Sequence, residues 1–291
     1  MHLLYRKKWA IALGLLPALF FYIIFSIFPI LNSFYYAFTN WDGLSEIQWV
    51  GLSNFREILG DKVFWLSFKN NIYIVLVSIF GQVPIGLGLA LLLNKKMRGS
   101  QFFRTVFFLP VVTSTVIVSM LWNMIYNYQM GLLNTVLRLV GLESWVRNWL
   151  GDPKTAMMYI CIVIVWQFIG LYMVIFMAAI QNVPSEILEA SELDGATGMK
   201  KTWYVIVPMI WDSILASIIL CISGSLRTFD LNFVMTNGGP AHSTEVMAIY
   251  MFNKTFSSLQ YGYGSAVSLL IFAFSLILIV ITQLLSRLAR R

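Results

Sequence analysis

The residues able to do chemistry are few in this sequence, and their spacing narrows what that chemistry is. Glu186, Glu189 and Glu192 recur at every third position and are followed by Asp194 and Gly195. Carboxylates spaced by three share one stripe of a helix. Such a stripe either meets basic groups on a partner or simply faces water. The two histidines, His2 and His242, are too far apart to suggest a metal site. The two cysteines, Cys161 and Cys221, fall in apolar runs and read as small bundle residues, with no zinc spacing and no disulfide framework. There is no GxxxxGK[ST] phosphate loop, and no His, Asp, Glu or Cys constellation that could form a catalytic centre. The expectation is a chain without catalytic residues, metal or cofactor, and so not an enzyme.

The acidic stripe needs a short helix to carry it. Ser185 suits an N-cap, Glu186 suits the positive end of the helix dipole, and Gly195 is a stop signal. These place about two to three turns of helix there. Ile187, Leu188 and Leu193 offer apolar contact beside the acids. Two readings stand at this point. One is a solvated connector, and the other is a protruding helix that docks into a groove on a cytoplasmic partner.

The elements around that loop are membrane spans. Of the 291 residues, 59% are hydrophobic and 11% charged, against about 25% charged in soluble domains. Lipid must cover part of such a surface. Six stretches approach or exceed the roughly 20 residues that cross a bilayer. They are approximately 9–38, 72–93, 105–126, 156–180, 203–226 and 266–285. The fold class is therefore all-α, a polytopic membrane protein with six transmembrane helices forming one domain over 1–291. The first span is too long for a signal peptide and reads as retained. Loop 39–71 predicts short interfacial helices, and loop 127–155 a re-entrant or surface helix at 132–140. Pro17, Pro29, Pro84, Pro110 and Pro208 predict kinks, and Gly86 with Ala90 predicts close helix approach. Trp9, Trp41, Trp145, Trp149 and Trp203 read as an aromatic belt.

The net charge of +7 follows the same plan. With the N-terminus inside, the inner segments hold Arg6, Lys7, Lys8, Lys95, Lys96, Arg98, Arg104, Lys200, Lys201, Arg287, Arg290 and Arg291. They hold only four of the 13 acidic residues. This is the positive-inside pattern, so the basic balance reports orientation and no nucleic-acid partner. Both termini are expected to be cytoplasmic, in a multi-pass protein of the cell membrane. Asp212 is the one charged residue within a span and lies close to its inner end. Structural anchoring, to headgroups or a basic neighbour such as Lys201, is favoured there over proton coupling.

A resemblance makes the acidic loop specific. Glu189-Ala190-Ser191, then Asp194-Gly195-Ala196, then Pro208, resembles the EAA signature of membrane subunits of binding-protein-dependent ABC importers. Ser191 departs from the alanine common there, and both residues are small. Thr236-Asn237-Gly238-Gly239-Pro240 followed by Thr244 is similar to a T-x-G-G-P segment of the carbohydrate importers. Weaker matches run along the chain: Trp41-Asp42-Gly43, Gly51-Leu52-Ser53-Asn54-Phe55, Phe108-Leu109-Pro110, Trp122, Gly131-Leu132-Leu133-Asn134 and Phe229-Asp230.

The resemblance implies the permease fold of type I ABC importers and a sugar or oligosaccharide substrate. The partners it implies are a second permease subunit in a heterodimer, two cytoplasmic ATPase subunits and an extracytoplasmic solute-binding protein. It makes 184–202 the coupling-helix loop, with Glu186, Glu189, Ala190, Asp194, Gly195 and Ala196 meeting the ATPase. Gly238, Gly239 and Pro240 form an outer loop. Gln167, Phe168, Ser225 and Thr228 resemble substrate-path positions, with Asn123 and Gln82 as weaker candidates. The alternatives are a glycerol-phosphate or polyol importer, for which Arg227 is the available cation, and an ion-coupled secondary transporter.

Overall fold

The computed structural model describes residues 8–94 and 98–289. His2, Arg6, Lys7, Lys95, Lys96, Arg290 and Arg291 lie outside them, as do the side chains of Lys8 and Trp9. Among the described residues every extended element is helical, and one isolated bridge pairs Thr39 with Trp49. The all-α expectation is met. The chain divides into two units, Met1–Asp61 with Met251–Ala273, and Lys62–Tyr250 with Phe274–Arg291.

In the first unit, α1 (Lys8–Tyr22) passes through a π-helical turn, Ile23–Ile27, into α2 (Phe28–Tyr36). Pro29 follows that wide turn. Proline lacks an N–H and crowds the carbonyl four residues back, and an extra residue in the turn relieves both. Leu13–Tyr36 is apolar all round, and none of its apolar window is buried in the chain, which fits a helix covered by lipid or by another subunit. After it the chain folds back, and α3 (Ser53–Gly60) anchors the loop. The Asn54 amide donates to the carbonyls of Ala37 at 2.9 Å and Thr39 at 2.8 Å. Gly43 has φ +89°, and the Tyr261 ring stands 2.8 Å from where a Cβ would be. Asp42 accepts from the N–H groups of Ser45 and Leu44 and from the Ser45 hydroxyl, which hold its pKa at about 2.

The second unit begins with α4 (Lys62–Leu93), α5 (Ser100–Val112), α6 (Thr115–Tyr126) and α7 (Leu132–Leu139). It continues with α8 (Ala156–Gln181), α9 (Ser185–Leu193), α10 (Gly198–Lys201), α11 (Val207–Met209), α12 (Trp211–Leu226) and α13 (Asp230–Thr236). The helices α14 (Met247–Phe252) and α15 (Tyr261–Ala289) contribute residues to both units. Its core is the contact of α4 with α8. A Cβ on Gly86 would lie 2.8 Å from the Tyr172 Cβ, and Ala90 is fully buried, so the small pair brings the two backbones together as expected. Gly170 does the same for α5: a Cβ there would meet the Phe107 carbonyl oxygen at 2.1 Å.

Two expected spans are broken. The pair α5 and α6 bends by 101°, and Gly198–Met209 with Trp211–Leu226 bends by 72°. Four helices are long and apolar enough to cross alone, and six spans result when each bent pair counts as one. The breaks do not sit on the prolines. Thr113 and Ser114 turn extended three residues after Pro110, and Ile210 leaves helical geometry two residues after Pro208. A π-helical turn, Thr202–Ile206, takes up the strain before Pro208. The helix α4 also starts ten residues before the expected boundary at 72, and is about 48 Å long at 1.5 Å per residue. The helix expected at 132–140 is present as α7. Trp149 is a core residue and not part of a belt. It is 6% exposed, and its Nε1–H donates to Asn134 Oδ1 at 2.9 Å.

Candidate functional site

The second unit holds a partly open cavity of about 270 Å³. Ser78 and Gln82 on α4, Thr115 on α6, Phe168 and Tyr172 on α8, and Cys221, Gly224 and Ser225 on α12 line it, closed by Arg227, Thr228, Phe229 and Asp230. Three of the four expected path residues, Phe168, Ser225 and Thr228, are thus brought together. Gln167 stands outside the lining. It is 1% exposed, its Nε2 donates to Thr115 Oγ1 at 3.1 Å, and its Oε1 has no partner. Gln82 does line the cavity, but its amide is used between helices, donating to the Ile164 carbonyl at 3.2 Å and accepting from Cys221 at 3.5 Å. Asn123 is elsewhere, donating to the Val234 carbonyl at 3.0 Å. The lining combines hydroxyls from Ser78, Thr115, Ser225 and Thr228 with phenyl rings and one charge of each sign. Hydroxyls satisfy a polyhydroxyl solute, and ring faces suit the C–H face of a pyranose.

The Gly238-Gly239-Pro240 loop follows α13 and is strongly bent. Asn237, Gly238, Ala241 and His242 all have positive φ. Thr244 ties it: its hydroxyl donates to the Gly239 carbonyl at 2.7 Å and lies 2.6 Å from the Thr236 hydroxyl. Asn232 donates to the Thr244 carbonyl at 3.0 Å. Glu245, 4% exposed, pairs with His242 Nδ1. Two residues that sequence reading passed over fix the loop to α4. Asn70 donates to the Glu245 carbonyl at 2.8 Å. Asn71 donates to the Ser225 carbonyl and accepts from the Met247 N–H, both at 2.8 Å. The signal available was two adjacent amides opening an apolar run.

The acidic segment forms α9. Ser185 is its first helical residue, with Pro184 at the cap position and no side-chain cap, so the expected serine cap is absent. The rigid ring of Pro184 sets the entry instead. The far end closes as expected. Gly195 has φ +81°, its N–H bonds the Glu192 carbonyl at 3.1 Å, and the Ala196 N–H bonds the Ser191 carbonyl at 2.8 Å. These two bonds are a Schellman motif. Glu186, Glu189, Ala190 and Asp194 are exposed. Glu192 is engaged by Lys201 at 2.7 Å. Leu188 packs on the core through its inner face, whereas Leu193 is 90% exposed. The helix is thus seated on one side and presents Glu186, Glu189 and an apolar residue, exposed among the described residues, on the other.

Residues 82–291 match the family described as binding-protein-dependent transport system inner membrane component. The chain belongs to that family. A probable ABC transporter permease protein of Pyrococcus horikoshii is 35% identical over 270 residues, covering 92% of both chains. The multiple sugar-binding transport system permease protein MsmF of Streptococcus mutans is 32% identical, covering 92% of this chain and 91% of its own. The fold is that of a chain in the crystal structure of a bacterial ABC transporter involved in import of the acidic polysaccharide alginate, with TM-score 0.85, 21% identity and 99% coverage of both.

In this inner membrane component the serine at 191 is accommodated locally, since its hydroxyl donates to the Leu188 carbonyl at 2.8 Å and is buried. Asp212 shares a polar cavity with Gln283, Ser286 and Arg287. Its basic neighbour in that cavity is therefore Arg287, and Lys201 is taken by Glu192.

Proposed function

We propose that the chain is one membrane half of an ATP-driven importer that carries a sugar or oligosaccharide into the cytoplasm. The observation that carries this reading is the cavity of the second unit, whose hydroxyl and phenyl lining includes Phe168, Ser225 and Thr228, the residues that resemble the sugar importers' substrate path. The substrate named for the Streptococcus mutans relative points the same way. Arg227 does line the cavity, as a phosphate importer requires, but Asp230 lines it too. A site with one charge of each sign favours a neutral polyhydroxyl solute over a phosphate ester. An ion-coupled transporter needs ionisable groups deep in its spans, and Asp212 at the first turn of α12 stands as the single acid in the expected spans.

In this reading a second permease subunit completes the passage, and a solute-binding protein delivers sugar at the Gly238-Gly239-Pro240 loop. Two ATPase subunits receive the α9 of each half. Glu186 and Glu189 meet basic groups there, Leu193 fills an apolar pocket, and Gly195 with Ala196 sets the exit angle of the chain. ATP-driven closure of the ATPases moves α9, and the seated face at Leu188 transmits the motion to the bundle. The passage then opens alternately to either side.

Co-purification tests this. Detergent-extracted wild-type chain should bring down a second permease and a cytoplasmic ATPase, and Glu189→Lys should lose the ATPase while keeping the permease. Wild-type chain that purifies alone and moves solute in liposomes without ATP would overturn the reading and make Asp212 the residue to pursue.

A further inference from the structure

We propose that Gly224 is the specificity-determining residue of the second unit's cavity, the position whose missing side chain admits saccharides of more than one ring; this rests on the importer reading above. Glycine weakens a helix interior relative to alanine, so a glycine inside a helix calls for a physical reason. Gly81, Gly86 and Gly170 have one, because a Cβ would come within 2.9, 2.8 and 2.1 Å of atoms on a neighbouring helix. Gly224 has no such contact. Nothing lies within 4 Å of its Cβ position, and the residue is exposed in the last turn of α12; Gly14 and Gly88 share that freedom, but neither lines this cavity.

The space belongs to a partly open cavity. Gly224 lines the cavity together with Cys221 one turn earlier and its neighbour Ser225, so this face of α12 is one wall of it. Phe168 stands on α8 as part of another wall, and Phe229 follows beyond the helix end. The gap at Gly224 is therefore part of the cavity volume. At about 270 Å³ that volume is close to the lower end of small-molecule sites, about 300 Å³. A branched side chain at 224 would take a large share of it. One ring held against a phenyl face still fits after that loss, and a second or third ring does not.

The test is uptake by cells expressing the full system, with this chain replaced by Gly224→Ala or Gly224→Leu. Labelled glucose, maltose and maltotriose give one, two and three rings of the same sugar. Gly224→Leu should lower maltose and maltotriose uptake relative to glucose on the order of tenfold or more, and Gly224→Ala by less, the range that single side chains achieve in pockets. Membrane abundance of each variant, measured by immunoblot, normalises the rates. A parallel arm uses Gly224→Cys in intact cells with a small methanethiosulfonate cation. It should react faster than the wild type, whose Cys161 and Cys221 are each 2% exposed. Equal reactivity, or a Gly224→Leu effect that is the same for all three sugars, overturns the proposal while leaving the importer reading intact. Wild-type cells that take up none of the three beyond a strain lacking the chain overturn the importer reading for these sugars and this proposal with it.

Discussion

Asn71 is a single amide that satisfies two backbone groups at once, and its burial is complete. Replacing it with alanine leaves the Met247 N–H without its acceptor, while the Ser225 carbonyl keeps the Thr228 N–H at 3.5 Å. A buried orphan N–H costs about 1–3 kcal/mol. Asn71→Ala should therefore lower the melting midpoint of the detergent-solubilised chain by several degrees, read by size-exclusion after heating. Asn123→Ala, which removes one partly exposed bond, should move it less. Equal midpoints for the two variants would show that Asn71 does not hold the end of α12 and the start of α14 to α4. The sequence did not single out Asn71, because an amide at the edge of an apolar run looks the same whether it faces water or threads the core. Phe168, Ser225 and Thr228 were singled out by their resemblance to substrate-path positions, and the fold brings the three to one cavity. Gln167, next in chain to Phe168, points to Thr115 instead, and one residue of helix rotation is enough to separate the two roles.

Helices record in their glycines where they touch and where they end. Gly170→Ala would drive a methyl against the Phe107 carbonyl at 2.1 Å, and α5 would have to move away from α8. Overpacking of this kind costs about 1–3 kcal/mol or more, so the variant should give a lower yield of folded protein. Gly88→Ala, with nothing within 4 Å, should not; parity between the two would mean the α5–α8 contact is not close. Gly195 acts at an end. Its φ of +81° is unfavourable for any residue with a Cβ, by about 1–2 kcal/mol, and no atom lies near enough to add a packing effect. Gly195→Ala should weaken uptake several-fold while the complex still assembles, and Gly195→Asn, which tolerates that conformation, should recover part of it. Uptake by the alanine variant at the wild-type rate would remove Gly195 from the coupling role. The helices α4 and α8 were visible in the sequence as unbroken apolar runs. The bends at Thr113–Ser114 and Ile210 were not, because a proline loosens a helix over the following turn and neighbouring helices choose where it yields.

Orientation is a property of the whole chain, and it decides whether α9 can meet an ATPase at all. The charge pattern that predicts it is partly structural as well. Arg104 donates to the Leu93 carbonyl at 2.7 Å, and Ser100 donates to the same oxygen at 2.9 Å, closing the end of α4. A positive charge there complements the helix dipole whichever side it faces, so Arg104 alone says little about sidedness. The other eleven inner basic residues, from Arg6, Lys7 and Lys8 to Arg290 and Arg291, carry the bias. Two exposed positions in the second unit report it directly: Leu193 at the end of α9, 90% exposed, and Met130 after α6, 86% exposed. The native thiols are buried and give little background. Met130→Cys should react with a membrane-impermeant maleimide on intact spheroplasts, and Leu193→Cys only after the membrane is opened. With that result α9 is cytoplasmic, and the acidic stripe at Glu186 and Glu189 is accessible to a cytoplasmic ATPase. The opposite labelling would place α9 outside the cell, where no ATP-driven partner can reach it, and would leave the solvated connector as the reading of the stripe.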